Sequence, residues 1–510
     1  MVSRNPLPGS DEERSAFALL QQSFAPMFRR LFADDSLERT VVVVPSLSLS
    51  EPELAKLAGV LHYEERMLCL LLLLRMPRTR VVYVTSMPLA PAVVDYHLDL
   101  MPEVPDAAER LLMVSLDDPS LRSLSAKLLD RPEVLTVIRS AVQDPASAHL
   151  TCFAATSAER TLAVSLGIPM YAADPDLWHL GTKSEGRRVF RQAQVPVPEG
   201  VEDLHEVTDL VAGLSELSRH RVRRAVVKLN EGFSGEGNAV IDLSGSDRTD
   251  PMIWLGEHLP SKLEFEATSE TWDSYRTKLA FMGGIVEAFL EGEEVTSPSV
   301  QCRVEPTGLV SIVSTHDQVL GGPHNQVFLG CRFPADPAYR RRITEAATRV
   351  ADVLARRGVI GRFGVDFLAV RSGADWGVYG LEINLRKGGT TLPFLMLDYL
   401  TRGRYDPEFG EYRVGEGEPR VYHASDNVQN PLYLGMNASD ARLAIGPLAF
   451  HPELRTGVVM HLLGALPDYG KLGLTAIAEH GEAAADLFRQ AVERLDVFAT
   501  MRSGAVAAYG

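Results

Sequence analysis

Cysteine is scarce in this chain: Cys69, Cys152, Cys302 and Cys331 are far apart, with no CxxC pair among them. That spacing excludes a disulfide framework and a cysteine-based zinc site, and it suits a reducing, cytoplasmic compartment. A long apolar run is also missing. The longest, Met67 to Leu74, is bounded by Arg66 and Arg75 and falls far short of the ~20 residues that span a bilayer, so it reads as a buried helix. The first fifteen residues, MVSRNPLPGSDEERS, lack a basic stretch followed by an apolar one, so no secretory signal is expected. Positive charge is short as well. A net charge of -16 weighs against a sequence-independent nucleic-acid binder, which must neutralise phosphates with Lys and Arg. The first apolar strand candidate, Val41 to Val44, is followed by Pro45-Ser46-Leu47 instead of GxGxxG, which leaves little support for a dinucleotide-binding turn.

What is present is globular. Apolar residues at 45% and charged residues at 23% are ordinary for packed domains, and 510 residues exceed one core, suggesting about three domains at ~150 residues each. From Thr40 to Ala173, short apolar runs (Val41 to Val44, Val81 to Val84, Leu111 to Val114, Leu150 to Ala154) alternate with amphipathic stretches. That order predicts a parallel sheet covered on both faces. Tyr63-Glu64-Glu65-Arg66 either lines a site or forms ion pairs on a helix surface.

A second organisation begins near Asp174. Lys183 falls in a predicted helix that stops before Val195-Pro196-Val197-Pro198. Arg223 to Leu229 reads as a strand, followed by Glu231 to Asn238, with Gly232, Ser234, Gly235 and Gly237, and then a strand from Ala239 to Leu243. Strand, glycine-rich turn, strand makes a flap whose backbone N–H groups can cradle an anion. Ile285 to Glu294 reads as a strand ending in an acidic turn. Asp336-Pro337 opens a helix that Gly358 ends. Thr315 to Gly330 reads as a glycine-bearing lid loop carrying His316, Gln318, His324 and Gln326.

Gly361 to Leu392 then predicts a hairpin, with Asp366 on one strand, Glu382 and Asn384 on the other, and the turn near Ser372 to Asp375. Asp366 and Glu382 should be cross-strand neighbours, and Glu382 and Asn384 should share a face. Opposed carboxylates repel, and a divalent cation relieves that repulsion. An all-oxygen set suits Mg²⁺ or Mn²⁺ better than zinc. Scattered surface acids on a solvated hairpin are the alternative.

Taken in order, Lys183 with a proline thirteen residues on, Lys228 before the glycine-rich loop, Glu287 with Glu294 seven residues later, and Asp366 followed by Glu382-x-Asn384 resemble the ATP-grasp family. The phrases EINLRKGGTTLP and THDQVLGGPHNQVFLGCRFP are similar to the peptide ligase of pheganomycin biosynthesis and related ATP-grasp peptide ligases. The resemblance implies an α/β (α+β) fold with a parallel-sheet domain over residues 1–173, an ATP-grasp domain over 174–403 whose flap spans about 183–290, and a small C-terminal module over 404–510 of the peptide-ligase type. It implies ATP and Mg²⁺ (or Mn²⁺) as cofactors. Lys183, Lys228 and Gly232 to Gly237 would meet phosphates, Glu287 and the backbone of Leu290 the adenine, Glu294 the ribose, and Asp366, Glu382 and Asn384 the metal.

The implied reaction joins a carboxylate to the amine of an amino acid or peptide through an acyl phosphate, in peptide natural-product biosynthesis, with release of ADP and phosphate. Such chemistry needs positive charge around the transferring phosphoryl group, which Lys183, Lys228 and Arg386 can supply. Arg332, Arg362, Lys387, His316 and His324 are substrate-contact candidates. The residue-level reading keeps two rivals, a kinase that stops at phosphoryl transfer and a nucleotide-binding regulator without turnover. A homodimer stays open, and the base for the amine is either a side chain or the substrate itself.

Overall fold

The computed structural model describes residues 6–34, 36–232, 237–248, 250–321 and 327–509. Strands β1 (Arg39–Val44), β2 (Thr79–Thr85), β3 (Leu111–Ser115) and β4 (Ala148–Cys152) form a wholly parallel sheet in the order β3-β2-β1-β4. Every residue of β1 is buried, as continuous β-branched runs require when helices cover both faces. The run Met67 to Leu74 is buried as expected, but it winds as a 3₁₀ segment, Val60–Arg75, a tight form that seldom runs so long.

A second sheet carries the flap. It consists of β5 (Gly200–Leu204), β6 (Arg224–Leu229), β7 (Asn238–Asp242), β8 (Glu264–Phe265) and β9 (Gly284–Ala288), antiparallel in the order β5-β9-β6-β7-β8. The helix Lys183–Gln192 leads into it, with Thr182 accepting at its N-terminus from the Glu185 amide.

The central sheet begins with β10 (Glu294–Thr296), β11 (Pro298–Val304), β12 (Val310–Gly321), β13 (Val327–Phe333), β14 (Gly361–Ser372) and β15 (Asp375–Asn384). One edge of β14 pairs with β15, and the other pairs with β11 and then β10. The helix Pro337–Arg356 packs on this sheet through Ile343, Ala347, Val350 and Leu354, all buried, and Asp336 caps it.

One expectation is corrected here. Thr315 to Gly330 is no loop, because β12 and β13 pair as an antiparallel ladder and account for most of it. Residues 404–510 add strands to the central sheet. After a small sheet of β16 (Arg404–Asp406), β17 (Glu411–Val414) and β18 (Glu418–Pro419), strands β19 (Val421–Gln429), β20 (Gly457–His461) and β21 (Lys471–Ala478) extend the central sheet in the order β13-β19-β21-β20. The last helix runs over Gly481–Tyr509.

Candidate active site

The hairpin β14–β15 sets Asp366 directly across from Glu382, with a register slip between Asp366 and Phe367. Asn384, two residues on, turns to the same side and donates from Nδ2 to Asp366 Oδ2 at 2.9 Å. Gln318 of β12 donates to Asp366 Oδ1 at 3.1 Å. Arg386 Nη2 donates to Asn384 Oδ1 at 3.1 Å. Lys183, from the first turn of its helix, reaches Glu382 Oε1 at 2.8 Å. Six side chains from four segments thus line one cavity of about 540 Å³, in two bonded groups, Gln318–Asp366–Asn384–Arg386 and Lys183–Glu382, and the volume is within the range of small-molecule sites.

Electrostatics separate the two acids. Burial, reinforced by the charge of Glu382, pushes Asp366 up to about 6, against the opposing pull of Ser299, Arg386 and Lys183. Burial also works upward on Glu382, yet Lys183, Arg386 and Lys228 hold it below the usual carboxylate range. Among the described residues no group of three or more His, Cys, Asp or Glu is arranged to hold a metal. The oxygen set here is two carboxylates and an amide, and its two facing acids fit a hard divalent cation.

A second network lies in the flap sheet. Lys228 Nζ meets Glu287 Oε1 at 2.5 Å, and Arg187 Nη1 donates to Glu287 Oε2 at 2.8 Å. Glu287 is 2% exposed, so two cations hold a buried carboxylate in one orientation. Arg187 was missed in the sequence. Its spacing of four from Lys183, one turn along the same helix face, is the signal that marks it. Gly237 adopts φ +90 and its carbonyl accepts from Tyr275 Oη at 3.0 Å, while Gly232 lines the cavity. Ser234 and Gly235 lie outside the described residues. Leu290 lies two residues past the end of β9, partly buried. Glu294 opens β10, half exposed, with Arg371 Nε at 3.3 Å, and lies outside the cavity wall.

The substrate-contact candidates divide. His316 is fully buried, with Nε2 2.6 Å from Tyr422 Oη, and burial lowers it to about 3; it is a packing residue of the sheet and no base for an amine. Arg332 is exposed opposite Asp317 in the β12–β13 ladder, away from the cavity. Arg362 faces Arg303 across β11 and lines a different cavity with Phe24 and Tyr399. Lys387 is buried, donating to the Cys152 carbonyl at 2.6 Å and Thr151 Oγ1 at 3.2 Å. It ties the site loop to the end of β4. His324 lies outside the described residues.

Tyr63-Glu64-Glu65-Arg66 is not a helix-surface ion pair. Glu64 accepts from the Ser86 amide and hydroxyl, both at 2.6 Å, and Glu65 from the Gly464 amide at 2.9 Å. Tyr63 and Arg66 line the cavity together with Asp426 and Lys471. No local motif in the sequence marks the last two.

The family model described as "IQCH-like, ATP-grasp" matches residues 175–255 and 253–408, and the "PGM1 C-terminal domain" model matches 441–491. The chain is 32% identical over 474 residues to L-propargylglycine--L-glutamate ligase of Streptantibioticus cattleyicolor, covering 89% of this chain and 94% of that one. It is 26% identical over 436 residues to IQ motif-containing protein H of Danio rerio, covering 76% of this chain and 41% of that one. Among solved structures, the biotin carboxylase domain of Hydrogenobacter thermophilus 2-oxoglutarate carboxylase aligns with TM-score 0.54 at 12% identity, covering 89% of each chain. N5-carboxyaminoimidazole ribonucleotide synthetase in its ADP complex aligns with TM-score 0.51 at 13% identity, over 90% of this chain and 97% of that one. At these identities the structural likeness speaks for the fold.

Proposed function

The chain belongs to the ATP-grasp family, and from that premise we infer that it is an ATP-dependent ligase joining a carboxylate to an amine. One observation carries the reading: Lys183, Asp366, Glu382, Asn384 and Arg386 converge on a single cavity. The substrates proposed are amino acids or short peptides, in keeping with the printed name of the Streptantibioticus relative, and the setting proposed is peptide natural-product biosynthesis in the cytoplasm. The four cysteines are free and buried, and among the described residues no helix is long and apolar enough to cross a membrane.

The proposed chemistry begins when a carboxylate oxygen of the acid bonds the γ-phosphorus of ATP as the bond to the β-phosphate oxygen breaks, releasing ADP. The amine then bonds the acyl carbon of the mixed anhydride, loses a proton and expels orthophosphate. Each reactant is anionic in the first step, so cations must offset their repulsion. Lys228 and Lys183 are assigned to the phosphates, with Glu287 and Glu382 holding the two ammonium groups in place. Arg386 is assigned to the carboxylate undergoing transfer, where a planar fork matches two oxygens. Asp366, Glu382 and Asn384 would hold Mg²⁺ or Mn²⁺, which supplies charge neutralisation for the phosphates. Glu287 and the Leu290 backbone are assigned to adenine, Glu294 to ribose, and the glycine turn that includes Gly232 and Gly237 to the phosphates.

The test is the cosubstrate requirement. With ATP, Mg²⁺ and an acid–amine pair selected from a panel of amino acids and peptides, ADP and phosphate should form only when both are present. ADP at full rate without amine would mark a kinase, AMP and pyrophosphate an adenylating enzyme, and tight nucleotide binding without turnover on any pair a regulator.

A further inference from the structure

A second cavity, of about 150 Å³, lies where the parallel-sheet domain meets the central sheet, and it shares no lining residue with the candidate active site. Arg362 fixes the separation. It precedes Asp366 by four positions on β14, so the two side chains turn to one face of the sheet about 14 Å apart at ~3.4 Å per residue. Gln301, opposite Gly364 between them, accepts from Thr391 Oγ1 at 3.0 Å.

The charge of this cavity is one-sided. Arg39, Arg303, Arg362 and Lys387 line it, and among the described residues no Asp or Glu does. Arg303 and Arg362 are direct cross-strand partners, an arrangement in which like charges destabilise a ladder. Arg303 Nη2 donates to Glu305 at 3.1 Å, but its Nε is buried without a hydrogen-bond partner. Among the described residues the Arg362 side chain has neither a hydrogen bond nor an ion pair. Asp398 feels both arginines, yet it does not line the cavity, and burial raises its carboxyl against their pull. His149, also in the wall, is lowered to about 4 by burial and by the charges of Lys387 and Arg39, so it adds no compensating group.

The remaining wall is apolar and aromatic. The helix Asp11–Ala33 supplies Phe24 and Phe28, which meet Tyr171 edge-on at ring distances of 5.5 and 6.0 Å. Tyr171 Oη is buried without a hydrogen-bond partner. An apolar cavity of about 150 Å³ admits a benzene ring, aromatic walls favour one by edge and offset contacts, and paired guanidinium forks match a carboxylate.

We propose that this cavity is a second ligand site, for a small aromatic carboxylate whose charged group sits between Arg303 and Arg362 and whose ring packs among Phe24, Phe28 and Tyr171. The ligand offsets the opposition of the two arginines, which the chain itself leaves uncompensated. The site stands apart from the nucleotide cavity and does not depend on the ligase reading.

The test is calorimetric titration of the full chain, saturated with Mg²⁺ and the non-hydrolysable analogue AMP-PNP, with phenylacetate, acetate, benzyl alcohol and inorganic phosphate. Phenylacetate should bind at least tenfold more tightly than each of the others, because it alone carries both the carboxylate and the ring. Arg362→Gln should weaken phenylacetate tenfold or more with AMP-PNP affinity unchanged, and its ligand-free melting temperature should stay level or rise, since one of two opposed cations is gone. Phe28→Leu should weaken phenylacetate severalfold and leave acetate as before, and Arg386→Gln should leave phenylacetate binding intact. No binding of phenylacetate by protein that holds AMP-PNP, or equal binding of acetate, benzyl alcohol or phosphate, would overturn the proposal. Phenylacetate binding lost in Arg386→Gln and kept in Arg362→Gln would place the ligand in the active-site cavity and overturn it as well.

Discussion

Lys228 and Arg187 share one buried carboxylate, Glu287, and this decides what removal of the lysine does. In Lys228→Ala, Glu287 keeps Arg187, so no buried charge is left unpaired and the fold should survive. ATP affinity should fall by about 1.5 to 3 kcal/mol, roughly tenfold to more than a hundredfold, with turnover lost. Displacement of a fluorescent nucleotide measures the first and phosphate release the second; wild-type values in both would remove Lys228 from the phosphate site. Individual residues were legible where spacing encodes a shared face, as with Glu382 and Asn384 on one strand. Arg66 was legible only as part of a charged cluster, since its partner is 360 positions away. Lys387 shows the converse: a lysine beside the site in sequence whose ammonium is spent on the end of β4.

At the scale of the element, the β14–β15 hairpin was readable because turn residues and alternation fix the register, and the slip after Asp366 leaves the Asp366–Glu382 pair intact. The β12–β13 ladder was not readable. Its glycines and histidines resemble loop chemistry, while the partners that make it a sheet interior, such as Tyr422 for His316, come from β19. Glu294 lies on β10 opposite Arg371, five positions along β14 from Asp366, about 17 Å at ~3.4 Å per residue. The two ends of the hairpin should therefore answer differently. Asp366→Asn and Glu382→Gln should each raise the Mg²⁺ concentration needed for half-maximal activity. Glu294→Ala should raise the KM for ATP with little change in kcat, since a ribose contact is made in ground and transition states alike. Steady-state titrations of both ligands check this, and a metal requirement that moves with Glu294 and not with Asp366 would reverse the two assignments.

Across the whole molecule, the parallel sheet was legible from its apolar runs, whereas the merging of the C-terminal strands into the central sheet was not, because β13–β19 pairing joins residues about ninety positions apart in a ladder without local signature. Within the parallel-sheet domain, Glu64 of the 3₁₀ segment is buried against the end of β2, where it accepts from Ser86. Burial raises it from 4.5 to about 7, against the hydrogen bonds from Ser86 and the charge of Lys127. A carboxyl raised on folding favours the native state while protonated. Its contribution is present below about pH 4.5 and lost as pH rises toward 7, an effect of up to about 3 kcal/mol. Urea unfolding at pH 5 and pH 7.5 should show a smaller loss of stability in Glu64→Gln than in the parent, and parallel losses would contradict the burial argument.

The central claim is that the acid is activated by phosphoryl transfer to its carboxylate, and an oxygen label follows that transfer directly. With an accepted acid carrying ¹⁸O in its carboxylate, together with ATP, Mg²⁺ and amine, mass spectrometry of the products should find one ¹⁸O in each orthophosphate released and none in the nucleotide. Unlabelled orthophosphate, or label recovered in AMP, would contradict the account.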